Sequence, residues 1–279
     1  MKQFLISLNG RFPRRFLFLF VLLSIGFNAC RKLDVPFGGI SKSSAYSADV
    51  IDKWFTLEIR LFKDATGISN GAFARPFAYS GISAYESIDP GSSSWKDKYN
   101  GLSGLPVTDK FKVYHWPASV NASLAEFNRS FFTTVNSNAT DLAAIDSLEH
   151  AIYSTFGMVA PAVLARSVGF GKSIADAVFA WSQTDGYNEN NALPYTPPVG
   201  PGLWEPTPPA FAKPIGPFWG NDRLIIAGSG DNAQPPAPIA YSEDPASPFY
   251  QMVNDLCTAS KNLTADQQNW ALFWRDVPG

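Results

Sequence analysis

Fourteen of the chain's 22 prolines fall between Pro194 and Pro248. That clustering forbids a regular helix or a central strand there, because each proline lacks a backbone donor and clashes with the preceding turn. A solvated linker would also be poor in aromatics, yet this one carries Tyr195, Leu203, Trp204, Phe211, Phe218, Trp219, Leu224 and Ile225. The expectation is an extended, proline-stiffened strap over Asn191–Ile226, laid across a helical body with Trp204 and Trp219 as anchors. A connection this long without secondary structure points to a clamping or functional role.

Helical patterns flank the strap. Val50, Trp54, Leu57 and Leu61 recur at three- and four-residue spacing, with Ile51, Phe55 and Phe62 widening the stripe. Pro76 is a favoured first-turn residue for a helix through Tyr79, Gly81, Ala84 and Ile88. Residues 91–116 read as irregular. Pro117 opens a helix with Val120, Leu124, Phe127 and Phe131 on one face, and Thr140 is placed to cap the next, with Asp141 favouring its start. Further helices are expected over Lys172–Thr184 and Pro248–Ala259. A last one follows the capping-box pattern Thr264-Ala265-Asp266-Gln267. With no fixed repeat and no sustained alternation, the fold class is all-α: a bundle of about seven helices plus the strap.

The first 30 residues read as an export signal. Lys2, Arg11, Arg14 and Arg15 precede the apolar run Phe16–Phe27, which is short for a span of roughly 20 residues. The run ends at Phe27-Asn28-Ala29-Cys30, similar to a bacterial lipoprotein cleavage site. The expectation is cleavage before Cys30 and lipidation of its thiol. That leaves Cys257 as an unpaired, buried small hydrophobe. The expected layout is signal 1–30, tether 31–45, helical region 46–190, strap 191–247, and the start of a second helical region at 248–279. A net charge of −2, with 16% charged and 14% aromatic residues, gives no basic patch for nucleic acid.

Within the strap, Gly202-Leu203-Trp204-Glu205-Pro206-Thr207-Pro208-Pro209 leads to Pro217-Phe218-Trp219-Gly220. This order resembles bacterial vanadium-dependent haloperoxidase-like proteins of the phosphatidic-acid-phosphatase (PAP2) superfamily. There a W-x-P-T-P-P run leads to P-x-W-G between two helical halves. Asp185-Gly186 and Trp274-Arg275-Asp276 fit the same pattern, and the resemblance spans Tyr46 to Gly279. It implies an oxyanion site for vanadate or a phosphate ester, cradled by Lys and Arg, with one histidine on the central atom and another moving protons. A multiply charged oxyanion needs such cationic donors.

The family's Lys-to-Arg-Pro, Pro-Ser-Gly-His and later Arg-to-His segments are absent here. The chain's only histidines are His115 in VYHWPAS and His150 in SLEHAIY, and neither matches. No catalytic, cofactor-binding or metal residue is therefore assigned; vanadate belongs to the intact family and not to this chain. Because those segments follow the matched region, the expectation is an N-terminal fragment missing its catalytic half and inactive alone.

Other motifs fall short. Gly169-Phe170-Gly171-Lys172-Ser173 is no phosphate loop, since Arg166 stands where the first glycine belongs; helix-start glycines explain it. Asp185-Gly186-Tyr187-Asn188-Glu189 offers oxygens for Ca²⁺ without EF-hand spacing. Glu58, Asp146 and Glu149 form no acid–base pair. Trp54, Trp95 and Trp116 would make a ligand platform only if exposed, and Trp54 fits a core stripe better. Cys30–Pro36 faintly resembles the start of SusD-like glycan-binding lipoproteins, which keeps a binding module as the alternative, beside a structural lipoprotein. The expected setting is the bacterial cell envelope, periplasmic or outer-membrane. Membrane attachment would run through Cys30, with a homodimer possible.

Overall fold

Helix boundaries follow local chemistry closely in the computed structural model, which describes residues 42–68, 70–88, 99–208 and 210–274. The expected signal over residues 1–30, Cys30, Trp95 and Arg275–Gly279 lie outside the described residues. Among those described there are eight α-helices and no strand. They are α1 (Asp49–Asp64), α2 (Ala74–Ile88), α3 (Trp116–Phe131), α4 (Ala139–Ser154), α5 (Pro161–Ser182), α6 (Tyr187–Asn191), α7 (Pro248–Lys261) and α8 (Ala265–Trp274).

Caps set most of the starts. His115 is the N-cap of α3, its side chain accepting from the Ala118 amide, with Pro117 in the first turn. Asn138, rather than Thr140, caps α4 by accepting from the Asp141 amide. The helix expected at Lys172 begins at Pro161 instead. Gly169 and Gly171 therefore lie inside a helix, not at its start.

α3 organises the body, packing against α1, α2, α4 and α5. Its buried face runs through Ala118, Ser119, Asn121, Ala122, Ser123 and Ala125, small residues that let neighbouring backbones approach. The buried polar side chains of this α3 face are satisfied between helices. Ser119 Oγ donates to Ser87 O at 2.8 Å, and Ser83 and Ser123 hydroxyls pair at 2.8 Å. Trp54 Nε1 donates to Asn121 Oδ1 at 2.8 Å, and Asn121 Nδ2 to Glu149 O at 3.1 Å. Satisfied groups of this kind are affordable in a core, where orphaned ones are costly.

Two apolar clusters flank α3. One gathers Trp54, Leu57, Leu61, Phe62, Phe132 and Ile145; the other Tyr79, Tyr114, Trp116, Phe127, Phe170 and Trp181. Trp54 is 0% and Trp116 2% exposed, so neither serves a surface platform. The loop after α2, described from Tyr99, is irregular as expected, yet Tyr99 and Tyr114 are buried. Neither α7 nor α8 has a buried residue, and Cys257 is exposed rather than buried. Among the described residues no helix is long and apolar enough to cross a membrane.

Candidate functional site: the strap anchor and its cleft

The strap is fixed where α5 ends. Beyond Ser182 the chain turns through Asp185 and Gly186, and Gly186 has φ 92°, a left-handed conformation natural to glycine. This turn places the Asp185 carboxylate in the interior, where it collects donors from two directions. Arg75 at the start of α2 reaches it through Nε to Oδ2 and through Nη2 to Oδ1 at 3.1 Å. The same guanidinium also donates to Ser182 O. Tyr79 donates its hydroxyl to Oδ2 at 2.9 Å, and the Tyr187 amide donates to Oδ1 at 3.0 Å.

The guanidinium carbon of Arg75 lies 4.9 Å from the ring centre of Tyr187 and 5.4 Å from that of Tyr79. Burial, together with the Asp185 charge, pushes the Tyr79 phenol up to about 12. It therefore remains a donor across the physiological range. These contacts leave no carboxylate oxygen free for Ca²⁺, and the described residues hold no group of three metal-ligating side chains.

A second arginine ties the strap down. The Arg223 amide donates to Asp185 O at 2.7 Å. Its Nη1 reaches Thr184 O at 3.0 Å and Thr184 Oγ1 at 2.8 Å, while Nη2 reaches Trp181 O at 2.7 Å. The guanidinium also lies 4.8 Å from the Trp181 ring centre. A cation on the open carbonyls of a helix C-terminus is favourable both as a hydrogen-bond donor and against the helix dipole.

Asp222 accepts from Asn190 Nδ2 at 2.7 Å. One step on, the Asn100 amide donates to Ile225 O at 2.9 Å, and Tyr99 and Ile226 form an isolated antiparallel bridge. Ile225 and Ile226 pack against the second core cluster. The anchor is thus Asp222–Ile226, with Trp219 meeting Tyr187 edge-on at 5.8 Å. Trp204, expected as an anchor, is 50% exposed.

Trp204 instead lines a cleft of about 700 Å³ that the strap folds around itself, with Tyr195, Phe211, Lys213 and several prolines. Phe211 is held at φ 48°, a conformation costing a side-chain-bearing residue roughly 1–2 kcal/mol. Gly202 has φ 73°, and a Cβ there would stand 2.5 Å from the Tyr241 ring, so only glycine fits that fold-back. The cleft contains one cation and no imidazole or thiol. A larger open groove of about 1160 Å³, lined by Leu57, Ala143, Ala144 and Leu148 between α1 and α4, also lacks an imidazole or thiol.

The remaining candidates lie apart from the strap anchor. Burial holds the His115 imidazole below its usual range, consistent with Nδ1 accepting from the Ala118 amide at 3.3 Å. Its ring packs edge-on against Phe156 and Tyr46. His150 is exposed on α4. Asp146 and Glu149 both bind Arg129, while Glu58 lies apart in the core. Vanadate does not fit these residues: Arg75 is committed to Asp185, Arg223 to backbone carbonyls, and neither histidine joins them.

Sequence reading missed Arg75 and Arg223 as anchor residues. The available signal was an arginine beside the first-turn Pro76 and another just after the P-x-W-G element.

No family model and no curated protein sequence matches the chain. Among solved structures, the crystal structure of the first bacterial vanadium-dependent iodoperoxidase matches at a TM-score of 0.68 with 23% identity. The match covers 82% of this chain and 55% of that one, so the chain spans just over half the length of that protein. At that identity the likeness is one of fold. Over the matched part, this chain has the all-α fold of a bacterial vanadium-dependent iodoperoxidase.

Proposed function

We propose that the chain is the helical, non-catalytic half of a vanadium-dependent haloperoxidase-like protein, held at the bacterial envelope by lipid on Cys30. In the intact protein the reaction would be peroxide-dependent halide oxidation or phosphate-ester hydrolysis at an oxyanion site, neither of which this half performs alone. One observation carries the reading. Among the described residues, all but six of the exposed large apolar side chains lie between Leu193 and Trp274. The six exceptions are Ile59, Val107, Phe111, Val135, Tyr153 and Met158.

Helices as short as α7 and α8 are marginal in water without tertiary packing. Their exposed Leu256, Trp270, Phe273 and Trp274 fit a contact with the remainder of a larger fold. Trp54 and Trp116 are core residues and form no glycan platform, while the SusD-like stretch Cys30–Pro36 lies outside the described residues.

The purified chain, given vanadate, hydrogen peroxide and iodide, is expected to oxidise no more iodide than vanadate alone. A polypeptide extended to include the Lys-to-Arg-Pro, Pro-Ser-Gly-His and Arg-to-His segments should turn over. Saturable, vanadate-dependent turnover by the chain itself would refute the reading. The anchor is checked separately by intact mass: the mature protein should begin at an acylated Cys30, and an unmodified Cys30 rejects it.

A further inference from the structure

Glu58 lies in the middle of the α1 core stripe and is 0% exposed, although no function described above uses it. One carboxyl oxygen, Oε1, accepts from Ser80 Oγ on α2 and from Asn128 Nδ2 on α3, the latter at 2.9 Å. The other, Oε2, is buried with no hydrogen-bond partner. An ionised carboxylate offers about four lone-pair sites, and here only two donors serve it.

No cation pairs with Glu58 among the described residues: Lys53 and Lys63 of its own helix are exposed, and the arginines of α1, α2 and α3 are engaged elsewhere. On its own helix Arg60 bridges to Asp141 of α4. On α2, Arg75 and Tyr79 turn to Asp185, and Glu86 lies near Tyr99. On α3, Arg129 binds Asp146 and Glu149 of α4, and Glu126 pairs with Lys172 of α5.

We propose that Glu58 is a proton-held latch: its neutral carboxylic acid joins α1 to α2 and α3, and its ionisation loosens that junction. The adjacent residue extends the consequence, because Tyr79 next to Ser80 donates to Asp185 in the strap anchor. Loosening this turn of α2 therefore also weakens the hold on the strap. The inference does not depend on the functional proposal above.

Burial is the largest influence on the Glu58 carboxyl and raises it from 4.5 to about 7, against the lowering effect of Ser80 and Asn128. A carboxyl held higher in the folded than in the unfolded chain contributes stability that is fully present below about 4.5. That contribution is lost as pH rises through about 7.

The test compares the full chain with Glu58→Gln and Ser80→Ala. It measures thermal melts from acid to mildly alkaline pH, and hydrogen exchange of Ala74–Ile88 corrected for the intrinsic pH dependence. The wild-type melting temperature should fall by roughly 5–10 °C across this range, with α2 losing at least about tenfold protection. Glu58→Gln should flatten both profiles. Ser80→Ala, which removes a donor favouring the ionised form, should move the wild-type fall to higher pH, and it keeps the proposal testable if Glu58→Gln does not fold. Parallel profiles for wild type and Glu58→Gln, or an unmoved midpoint in Ser80→Ala, would overturn the proposal.

Discussion

Replacing Gly171 by alanine is expected to cost more than about 3 kcal/mol and to lower the melting temperature by roughly 6–12 °C. A Cβ at that position would stand 2.0 Å from Ser119 O, 2.9 Å from Ser119 C and 3.2 Å from Ser119 Cα. All three are atoms of the α3 main chain, so no rotamer change relieves the clash. Ordinary heavy-atom contacts lie at about 3.5–4.0 Å, and α3 and α5 would have to move apart by more than an ångström. That opens the second core cluster around Trp116, Phe127, Phe170 and Val178. Gly169 provides the control: nothing lies within 4 Å of its Cβ position. Gly169→Ala in the same helix should be neutral or up to about 1 kcal/mol stabilising. Circular-dichroism melts of the pair check the contrast, and equal melting temperatures would contradict the packing described.

Arg75→Ala should be nearly as damaging, and its effect should appear in the strap. The Asp185 side chain is 4% exposed and that of Arg75 10%, so removing the cation leaves a buried carboxylate with only the Tyr79 hydroxyl and the Tyr187 amide. Breaking a buried pair from one side costs about 3–5 kcal/mol. Arg75→Lys should recover only part of this, because a lysine cannot reproduce the two-pronged contact or the stacking on Tyr187. Asp185 also supplies the carbonyl that accepts from the Arg223 amide, so a displaced Asp185 releases the strap. Limited proteolysis should cut within residues 191–226 of Arg75→Ala at enzyme concentrations that spare the wild type. An unchanged cleavage pattern alongside a lowered melting temperature would show that Arg75 supports the bundle and not the strap.

The helices were legible because apolar periodicity and capping chemistry act locally. Val50–Leu61, Pro117–Phe131 and the Thr264 capping pattern each appear where expected. The start of α5 was misplaced because Gly169 and Gly171 read as helix-start glycines. The role of Gly171 depends on α3, where it serves a close approach that only the assembled bundle reveals. Glu58 could not be recognised as buried, because a glutamate within an apolar stripe is ordinarily turned to solvent; its partners lie 22 and 70 residues away. The strap was visible as prolines and aromatics, but its anchor was not. Trp204 and Trp219 drew attention by size, whereas the hold comes from Arg223, Asp222 and Ile225 meeting groups on α5, α6 and the Asn100 loop. The exposure of Cys257 on α7 likewise depends on a helix that buries no residue among the described residues.

The central proposal is that this chain is one half of an oxyanion-site protein. The measurement that tests it most directly is the DNA sequence downstream of the Gly279 codon, read in all frames. The account predicts a Lys-to-Arg-Pro segment, then Pro-Ser-Gly-His, then an Arg-to-His segment, in that order. A stop codon followed by none of these in any frame would contradict it.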